Sequence, residues 1–438
     1  MRMNSKGWLA LSVLACAITF AYRSTVLLPW EKYVNEQYLD IAHGRLKAQL
    51  GDLYSPWIGT RELLLHGRNP YGTEVSHQIQ MAFYGHTVEQ RYDMPGAPII
   101  DEQRFVYPVY VVFLLAPIAN VSFPVVEEWA PLLLAMLTAL SVLLWLDLLR
   151  WRPTWIVIIA IVLFVLSSPQ IMQGLRLRQL GIAVVFLLAL SAWCIARRQL
   201  AMAGVLLAFS TIKPQITLLS LAWLLFWGLS DLKRRWGLLA GFGIALGVLC
   251  GAGEIFLPGW ARYFVQGLIA YRKYAPKTSL LCLVFGGIGG GVISLLAVAA
   301  ILVLAWRNRR KDASSAEFLN TLAASFVSAA LVLPVVTPYN QVLLLLPTAM
   351  ILHQWSSLPK IARRVFAGVL AWPYICSSFL LLARPDLNSP KRLPLLPSAL
   401  VLLVPYLVLL LFLLLLASER KLNREAQPGV AQSCTVPL

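Results

Sequence analysis

The sequence lacks the clustered acidic, histidine and cysteine residues that many metal-dependent and disulfide-bonded proteins contain. Only 20 of its 438 residues are acidic, and no two aspartates form an Asp-x-Asp pair. The five histidines show no His-Glu-x-x-His spacing, and the six cysteines are scattered along the chain, mostly within apolar stretches. These absences argue against a metal site and a disulfide framework, so we predict no metal and no cofactor.

Polar stretches are also few, because 59% of the residues are hydrophobic. Soluble domains of average composition contain about 45–50% apolar residues. The excess falls in continuous blocks of about 15–25 residues, a length that crosses the hydrocarbon core of a bilayer. Continuous rather than alternating blocks disfavour a β-barrel. We therefore predict an all-α polytopic membrane protein, with one transmembrane domain over residues 1–417 and about 11–13 membrane-spanning helices.

The charge pattern predicts how the chain is oriented in the membrane. The formal net charge is +17, and its lysines and arginines cluster at the ends of apolar blocks, as they do on the cytoplasmic side of membrane proteins. This placement explains the basic composition without a nucleic-acid partner. Arg2 and Lys6 predict a cytoplasmic N-terminus. The first apolar block is too long for a typical signal-peptide core and lacks a cleavage motif, so we expect an uncleaved first helix.

This orientation divides the polar segments between the two sides of the membrane. Residues 31–105 become a large first extracytoplasmic loop and residues 258–279 a second one. Shorter outer turns are predicted at 176–179, near 213–214, at 337–341 and at 384–397. Residues 418–438 become a short cytoplasmic tail, which we predict to be disordered. The region 106–149 contains two apolar runs although its flanking charges require an odd number of crossings. One run, with 106–120 as the candidate, is therefore expected to be re-entrant or interfacial.

The first outer loop holds half of the 20 acidic residues and four of the five histidines. Within it, Asp52 stands before a stretch that we predict to be an amphipathic helix over 57–66. Ser55 is its expected N-cap and Gly67 its left-handed C-cap. A membrane protein that concentrates titratable groups in one loop is expected to do its chemistry beside that loop. Asp52 is therefore our candidate general base, although its carboxylate could instead cap the helix.

Cationic residues interrupt the apolar blocks at two predicted outer turns. Lys213 lies between two apolar runs that are each short for a membrane crossing, and ionisable residues at such depths are usually functional. A lysine can also extend its ammonium group to the interface. Arg176 and Arg178 lie on another outer turn, against the charge rule, and could bind an anion or pair with carboxylates. The segment 260–277 interleaves cations with tyrosines, which suits an interfacial helix or a lipid phosphate.

Several short motifs, taken in order over residues 50–230, resemble those of a known family. They are Gly51-Asp52-Leu53-Tyr54, Gly67-Arg68-Asn69-Pro70-Tyr71, Phe105-Val106-Tyr107-Pro108, the turn Gly174–Gly181 and the hairpin from Ala203-Gly204 to Lys213-Pro214. This order and spacing resemble the GT-C superfamily of polyprenyl-phosphate-dependent glycosyltransferases, and in particular the mannosyltransferase-like glycosyltransferase family 87. One departure is Val109, which stands where the family pattern has a second proline.

The resemblance implies a GT-C-type helical bundle in a bacterial plasma membrane. It implies transfer of a hexose, with mannose as one example, from a polyprenyl-phosphate-linked donor to an extracytoplasmic glycan or lipid acceptor. A single candidate base without an evident paired nucleophile predicts one displacement with inversion. The missing Asp-x-Asp pair argues against the metal-bound nucleotide-sugar chemistry of soluble glycosyltransferases.

The same resemblance assigns roles to individual residues. Asp52 would deprotonate the acceptor hydroxyl, and the donor phosphate would be held by Lys213, Arg176 and Arg178. Candidate sugar-binding residues are Tyr54, Trp57 and Tyr71, although aromatic residues are common at membrane interfaces for other reasons.

Two other classes of function use the same features. A transporter or flippase for an anionic lipid-linked sugar would need the cations but no general base. The missing internal repeat and the large outer loop count against it. A scaffold without catalytic activity in envelope assembly is disfavoured by the ionisable Lys213 between apolar runs.

Overall fold

The computed structural model describes residues 4–29, 50–89, 102–274, 279–333, 337–383 and five positions between 404 and 412. The predicted outer turn near 384–397 and the predicted tail at 418–438 lie outside the described residues, as does most of the chain between 31 and 49.

The described residues form α-helices, together with one π-helical turn and two short 3-10 helices. The first eight helices are α1 (Ser5–Tyr22, continued by a π-helical turn over Arg23–Leu27), α2 (Tyr54–His66), α3 (Thr73–Tyr84), α4 (Val111–Leu115), α5 (Phe123–Leu148), α6 (Trp155–Leu166), α7 (Pro169–Arg176) and α8 (Leu180–Ala196). The others are α9 (Leu200–Ser210), α10 (Pro214–Leu229), α11 (Leu232–Phe256), α12 (Trp260–Tyr274), α13 (Leu280–Asn308), α14 (Ala316–Val332), a 3-10 helix (Pro338–Leu344), α15 (Leu345–His353) and α16 (Lys360–Ala383).

Several of these helices are suited to crossing a bilayer. Among the described residues, four have the necessary length and hydropathy, namely α1 with its π-helical end, α5, α11 and α13. Helices α6 and α7 form a fifth candidate span that bends by 64° at the break between them. The shorter apolar helices α8, α9, α10 and α14 lie among them. The prediction of an all-α polytopic membrane protein is confirmed, whereas the total of 11–13 crossings stays a prediction.

Two short helices, α8 and α14, form the centre of the bundle. Most of their residues are buried, as expected for helices that are apolar on every face. Trp145 of α5 packs against Phe326 of α14 with ring centroids 6.0 Å apart, and Trp223 of α10 packs against Phe318 of α14 at 5.6 Å. Gln179, which directly precedes the enclosed helix α8, is buried as well.

Helices α9 and α11 approach each other through glycine. A Cβ atom on Gly204 would lie 2.2 Å from the Leu238 carbonyl oxygen, and one on Gly241 would lie 2.1 Å from the Ala201 carbonyl oxygen. Small residues permit such backbone contact between membrane helices. The Ala203-Gly204 motif is therefore explained by helix packing, and this packing fixes the hairpin that carries Lys213.

The region 106–149 contains only one long helix. The run at 106–120 forms the five-residue helix α4 and a 3-10 turn over Ala116–Ile118. At 1.5 Å per residue, α4 is about 7.5 Å long and does not cross a bilayer. Helix α5, with 26 residues, is the candidate span. The structure thus leaves one candidate crossing in this region, which agrees with the odd number that the flanking charges require.

The helix that follows Asp52 starts earlier than predicted. Helix α2 begins at Tyr54, and its N-cap residue Leu53 makes no side-chain capping bond. Ser55 lies inside the helix, so its prediction as the N-cap was wrong. The reason is that Gly51, with φ +71°, turns the chain so that the Tyr54 N–H already donates to the Gly51 carbonyl oxygen at 3.2 Å. Gly67 has φ +65° at the other end, which confirms the predicted left-handed C-cap.

Candidate active site

Asp52 is held by a turn that is attached to the connection between α7 and α8. The Asp52 N–H donates to the Leu177 carbonyl oxygen at 2.7 Å. A Cβ atom on Gly51 would lie 2.8 Å from that same oxygen, so only glycine permits this approach at φ +71°. The Gly51-Asp52 motif is therefore required for placing the aspartate against residues more than a hundred positions later in the chain.

Lys213 lies in the turn between α9 and α10 and is buried, with 7% of its surface exposed. Its Nζ donates to Oε1 of Gln179, which precedes α8. A Cβ atom on Gly181 would lie 3.6 Å from Nζ, an ordinary van der Waals distance, so the start of α8 packs directly against the lysine. Burial lowers the pKa of the Lys213 ammonium to about 8, and the negative charge of Asp52 partly opposes this effect. The lysine is enclosed by protein rather than extended toward the surface.

Tyr339, which the sequence analysis did not assign to the site, links these two groups. Its hydroxyl donates to Oδ2 of Asp52 at 3.4 Å. The centre of its ring lies 5.4 Å from the Nζ of Lys213. The Gln179 side chain, which accepts from Lys213, also bonds to the Tyr339 hydroxyl. A carboxylate, an ammonium group, an amide and a phenol therefore meet at one place.

The only signal for Tyr339 in the sequence is its position. It lies on one of the predicted outer turns, at 337–341, where polar residues interrupt apolar sequence as they do around Lys213. In the structure, three predicted outer turns, at 176–179, 213 and 337–341, meet beside the Asp52 loop.

Arg178 has a different environment from Lys213. Its NH2 group pairs with Oε1 of Glu127 on α5 at 2.7 Å, and its Nε donates to the Glu127 carbonyl oxygen at 3.3 Å. Its NH1 group lies 3.5 Å from the carbonyl oxygen of Leu50. Arg178 thus connects the start of α5 to the residues just before Asp52. Arg176 is the half-buried last residue of α7, next to the Leu177 carbonyl that anchors Asp52.

Tyr71 lies beside this site. Its hydroxyl donates to the Tyr107 carbonyl oxygen at 2.6 Å, and its ring stacks on Tyr263 of α12 with centroids 6.4 Å apart. Burial raises the pKa of the Tyr107 hydroxyl well above its usual value, and the negative charge of Asp52 raises it further. Tyr107 therefore lies near the Asp52 carboxylate, and Tyr71 connects the Tyr107 backbone to α12.

Tyr54 and Trp57 belong to an aromatic cluster behind the Asp52 turn. Trp57 is 6% exposed, and its indole N–H donates to the Ile118 carbonyl oxygen at 3.1 Å. Both rings pack against Phe123 at the start of α5, with centroids 4.8 Å away for Tyr54 and 5.1 Å away for Trp57. These contacts hold α2 against the bundle.

Two amide oxygens near Tyr339 are buried without a hydrogen-bond partner among the described residues. They are Oε1 of Gln173 on α7 and Oδ1 of Asn340 on the 3-10 helix. Buried polar atoms are usually hydrogen-bonded, and an unpaired one calls for an explanation. These oxygens can accept hydrogen bonds from a hydroxylated ligand.

The fold and this site define a polytopic membrane protein with a half-buried carboxylate and a buried lysine between helix ends. The sequence model of glycosyltransferase family 87 matches residues 105–338, a little over half of the chain. The chain therefore belongs to glycosyltransferase family 87 and is a glycosyltransferase. The match continues beyond residue 230, where the motif resemblance ends. It includes Lys213 but neither Asp52, which precedes it, nor Tyr339, which follows it by one position. Comparison with curated proteins and with solved structures gave no match.

Proposed function

We propose that this glycosyltransferase moves a hexose, mannose being one candidate, from a polyprenyl-phosphate donor to an extracytoplasmic glycan or lipid acceptor. The observation that carries the proposal is the approach of Asp52 and Lys213 to the same tyrosine, Tyr339. Sugar transfer from a lipid phosphate needs a base for the acceptor and a cation for the leaving group. This site contains one of each.

Asp52 is the proposed base. An acceptor hydroxyl loses its proton as it attacks the anomeric carbon, and a carboxylate within hydrogen-bonding distance contributes roughly 10²–10⁴-fold to such a step. Because the sequence offers one candidate base and no evident paired nucleophile, we propose a single displacement that inverts the anomeric carbon. The proton moves to Asp52, and the bond between the sugar and the phosphate oxygen breaks.

Lys213 is the proposed ligand of the leaving phosphate. Negative charge develops on the lipid phosphate as the glycosidic bond breaks, and a fixed cation stabilises that charge more in a buried site than in water. Arg176 is a second candidate, because it ends α7 close to the Asp52 turn. Arg178 already pairs with Glu127, so we propose that it supports the turn and reaches a phosphate only by exchanging this partner.

The positions of the charges support an extracytoplasmic site. Helix α8 begins after Gln179 and ends before Arg197, so its 17 residues separate these ends by about 25 Å. Arg197 and Arg152 both pair with Asp147, at 2.9 Å and 2.7 Å. Arginine clusters mark the cytoplasmic side of membrane proteins. By that rule the end near Gln179, where the site lies, faces the outside of a bacterial plasma membrane.

The test is product formation by purified protein in detergent, where no vectorial transport is possible. Polyprenyl-phosphate mannose and polyprenyl-phosphate glucose are supplied separately, with envelope lipids and glycans as acceptors. We expect release of polyprenyl phosphate together with a new glycoconjugate.

Asp52→Asn should lower this turnover by roughly 10²–10⁴-fold. The matched control is Glu74→Gln, which removes an exposed carboxylate on α3 whose partner is Arg68 and should leave turnover unchanged. Full turnover in Asp52→Asn would show that Asp52 is not the base. If no donor is consumed while proteoliposomes move the lipid-linked sugar, the transporter alternative replaces the enzyme.

A further inference from the structure

Tyr339 contacts both of the groups to which the proposed function gives chemical roles. We propose that it is a positioning residue, whose hydroxyl orients the Asp52 carboxylate while its ring holds the Lys213 ammonium. The inference rests on the proposed function for its kinetic test, and a second test below needs no substrate.

The backbone around Tyr339 is firmly placed. The residue lies at the start of the 3-10 helix Pro338–Leu344, which packs on α7. A Cβ atom on Gly174 of α7 would lie 3.4 Å from the Cβ of Tyr339, so α7 and the 3-10 helix are in direct contact at this position. Tyr339 is therefore fixed by the same α7 whose end anchors Asp52.

The hydroxyl of Tyr339 is suited to donating a hydrogen bond to a carboxylate. Burial raises its pKa above the usual value, and the negative charge of Asp52 raises it further, so the phenol keeps its proton at neutral pH. A bond to the charged form of an acid stabilises that form. It also occupies Oδ2 and directs the other carboxylate oxygen elsewhere. At 3.4 Å the bond is long, and catalytic hydrogen bonds often tighten when substrate binds.

The ring of Tyr339 has a separate partner. A cation within about 6 Å of an aromatic centroid is attracted to the ring face, and the Lys213 Nζ lies at 5.4 Å. Gln179 fixes the same ammonium from another direction. The two ends of one side chain thus contact the carboxylate and the ammonium group at the same time.

Other charged and titratable side chains surround this carboxylate, and they set the background for its titration. They are Tyr107 ahead of α4, Arg176 and Arg178 around the Leu177 anchor, Lys213 between α9 and α10, and Tyr271 of α12. Replacing Tyr339 by phenylalanine changes none of them and removes only the hydroxyl. A shift in the titration of Asp52 can then be assigned to that hydroxyl.

Tyr339→Phe and Tyr339→Leu separate the two roles. Phenylalanine keeps the ring, so we expect an unchanged KM for the donor and a kcat lowered about 10- to 100-fold, the value of a hydrogen bond to a charged group. The acid limb of the pH profile should move to higher pH, because the charged carboxylate loses a donor. Leucine also removes the ring and should raise the donor KM. A packing role alone would change folding but not these quantities.

The matched control is Tyr374→Phe on α16. Its hydroxyl is also buried, donating to the Phe164 carbonyl oxygen at 2.6 Å, but it belongs to another part of the bundle. It should leave kcat and the pH profile unchanged. Wild-type kcat and an unmoved acid limb in Tyr339→Phe would overturn the proposal.

Infrared spectroscopy of the purified protein tests the same hydrogen bond without turnover. The carboxylic-acid C=O band that disappears in Asp52→Asn is followed as a function of pH. In Tyr339→Phe its midpoint should rise, and in Tyr374→Phe it should not. An unmoved midpoint would overturn the inference, whatever the enzyme transfers. A raised midpoint in a protein that consumes no donor would support the hydrogen bond while the proposed function fails.

Discussion

Lys213 should make the binding of polyprenyl phosphate depend on pH in a range where few lysines titrate. An ordinary lysine has a pKa of about 10.4, whereas burial lowers the pKa of Lys213 to about 8, with the Asp52 charge partly opposing the shift. The ammonium is present below this pKa and is lost as the pH rises through it. Binding of an anion should therefore be strongest on the acidic side and weaken above pH 8.

The size of the effect follows from this pKa. With a pKa of about 8, roughly nine-tenths of Lys213 is charged at pH 7 and about one-tenth at pH 9. If only the charged form binds the phosphate, Kd rises about tenfold over that interval, equivalent to about 1.4 kcal/mol. The neighbouring Tyr107 and Tyr339 keep their protons throughout, because burial raises the pKa of each hydroxyl.

The assay is a titration of the protein in detergent with polyprenyl monophosphate, read by tryptophan fluorescence. Measurements run upward from pH 7, above the second ionisation of the phosphate near about 6. Lys213→Arg is the matched control, since a guanidinium stays charged across the range, and its Kd should not follow the wild-type curve. Lys213→Met should bind about 10- to 100-fold more weakly at pH 7, and its difference from the wild type should narrow toward pH 9, where most of Lys213 is neutral.

Two outcomes would refute this reasoning. A wild-type Kd that stays constant from pH 7 to pH 9 would show that no group with a pKa of about 8 controls binding. A tenfold rise that persists in Lys213→Arg would assign the titration to another group.

Two further predictions concern the scaffold of the site. Gly204→Ala and Gly241→Ala should each lower the free energy of unfolding by about 1–3 kcal/mol, because each added methyl group meets backbone of the facing helix. Gly247→Ala, on the open side of α11, should change the melting temperature little, and equal losses in all three would contradict the packing explanation. Arg178→Met and Glu127→Gln should each lower the free energy of unfolding by about 1–3 kcal/mol. The double variant should lose much less than the sum of the two single losses. Additive losses would show that the two side chains act independently.

The apolar blocks and the cationic turns were predictable because both follow from local composition. Continuous hydrophobic runs require helices in a bilayer, and a lysine such as Lys213 between two of them stands out in any hydropathy profile. The left-handed C-cap at Gly67 follows from the conformational freedom of glycine alone. The wrong prediction of Ser55 as the N-cap shows the limit of prediction from local sequence. The start of α2 depends on a contact between Gly51 and Leu177. That contact joins residues far apart in the chain.

Tyr339, which contacts both Asp52 and Lys213, was harder still to predict from local sequence. Its position on a predicted outer turn is the one signal in the sequence, and aromatic residues are common at such interfaces for other reasons. Its role depends on the approach of the 3-10 helix to Gly174, a distance set by tertiary packing. Arg178 and Trp57 show the opposite situation, because the sequence predicted ligand binding for both. Their residue types suit ligand binding, but the structure gives them Glu127 and the Ile118 carbonyl as partners.

The order in which the residues of this site are synthesised has a consequence for biosynthesis. Asp52 enters the membrane region first, then Gln179 and Lys213, and the tyrosine that touches both the acid and the lysine is added only at position 339. Until then a growing chain contains Lys213 without the ring beside it. Translation that stops before this point leaves a fragment with the proposed base and cation but without the contact that joins them. Completion of the site is thereby coupled to insertion of the last third of the protein.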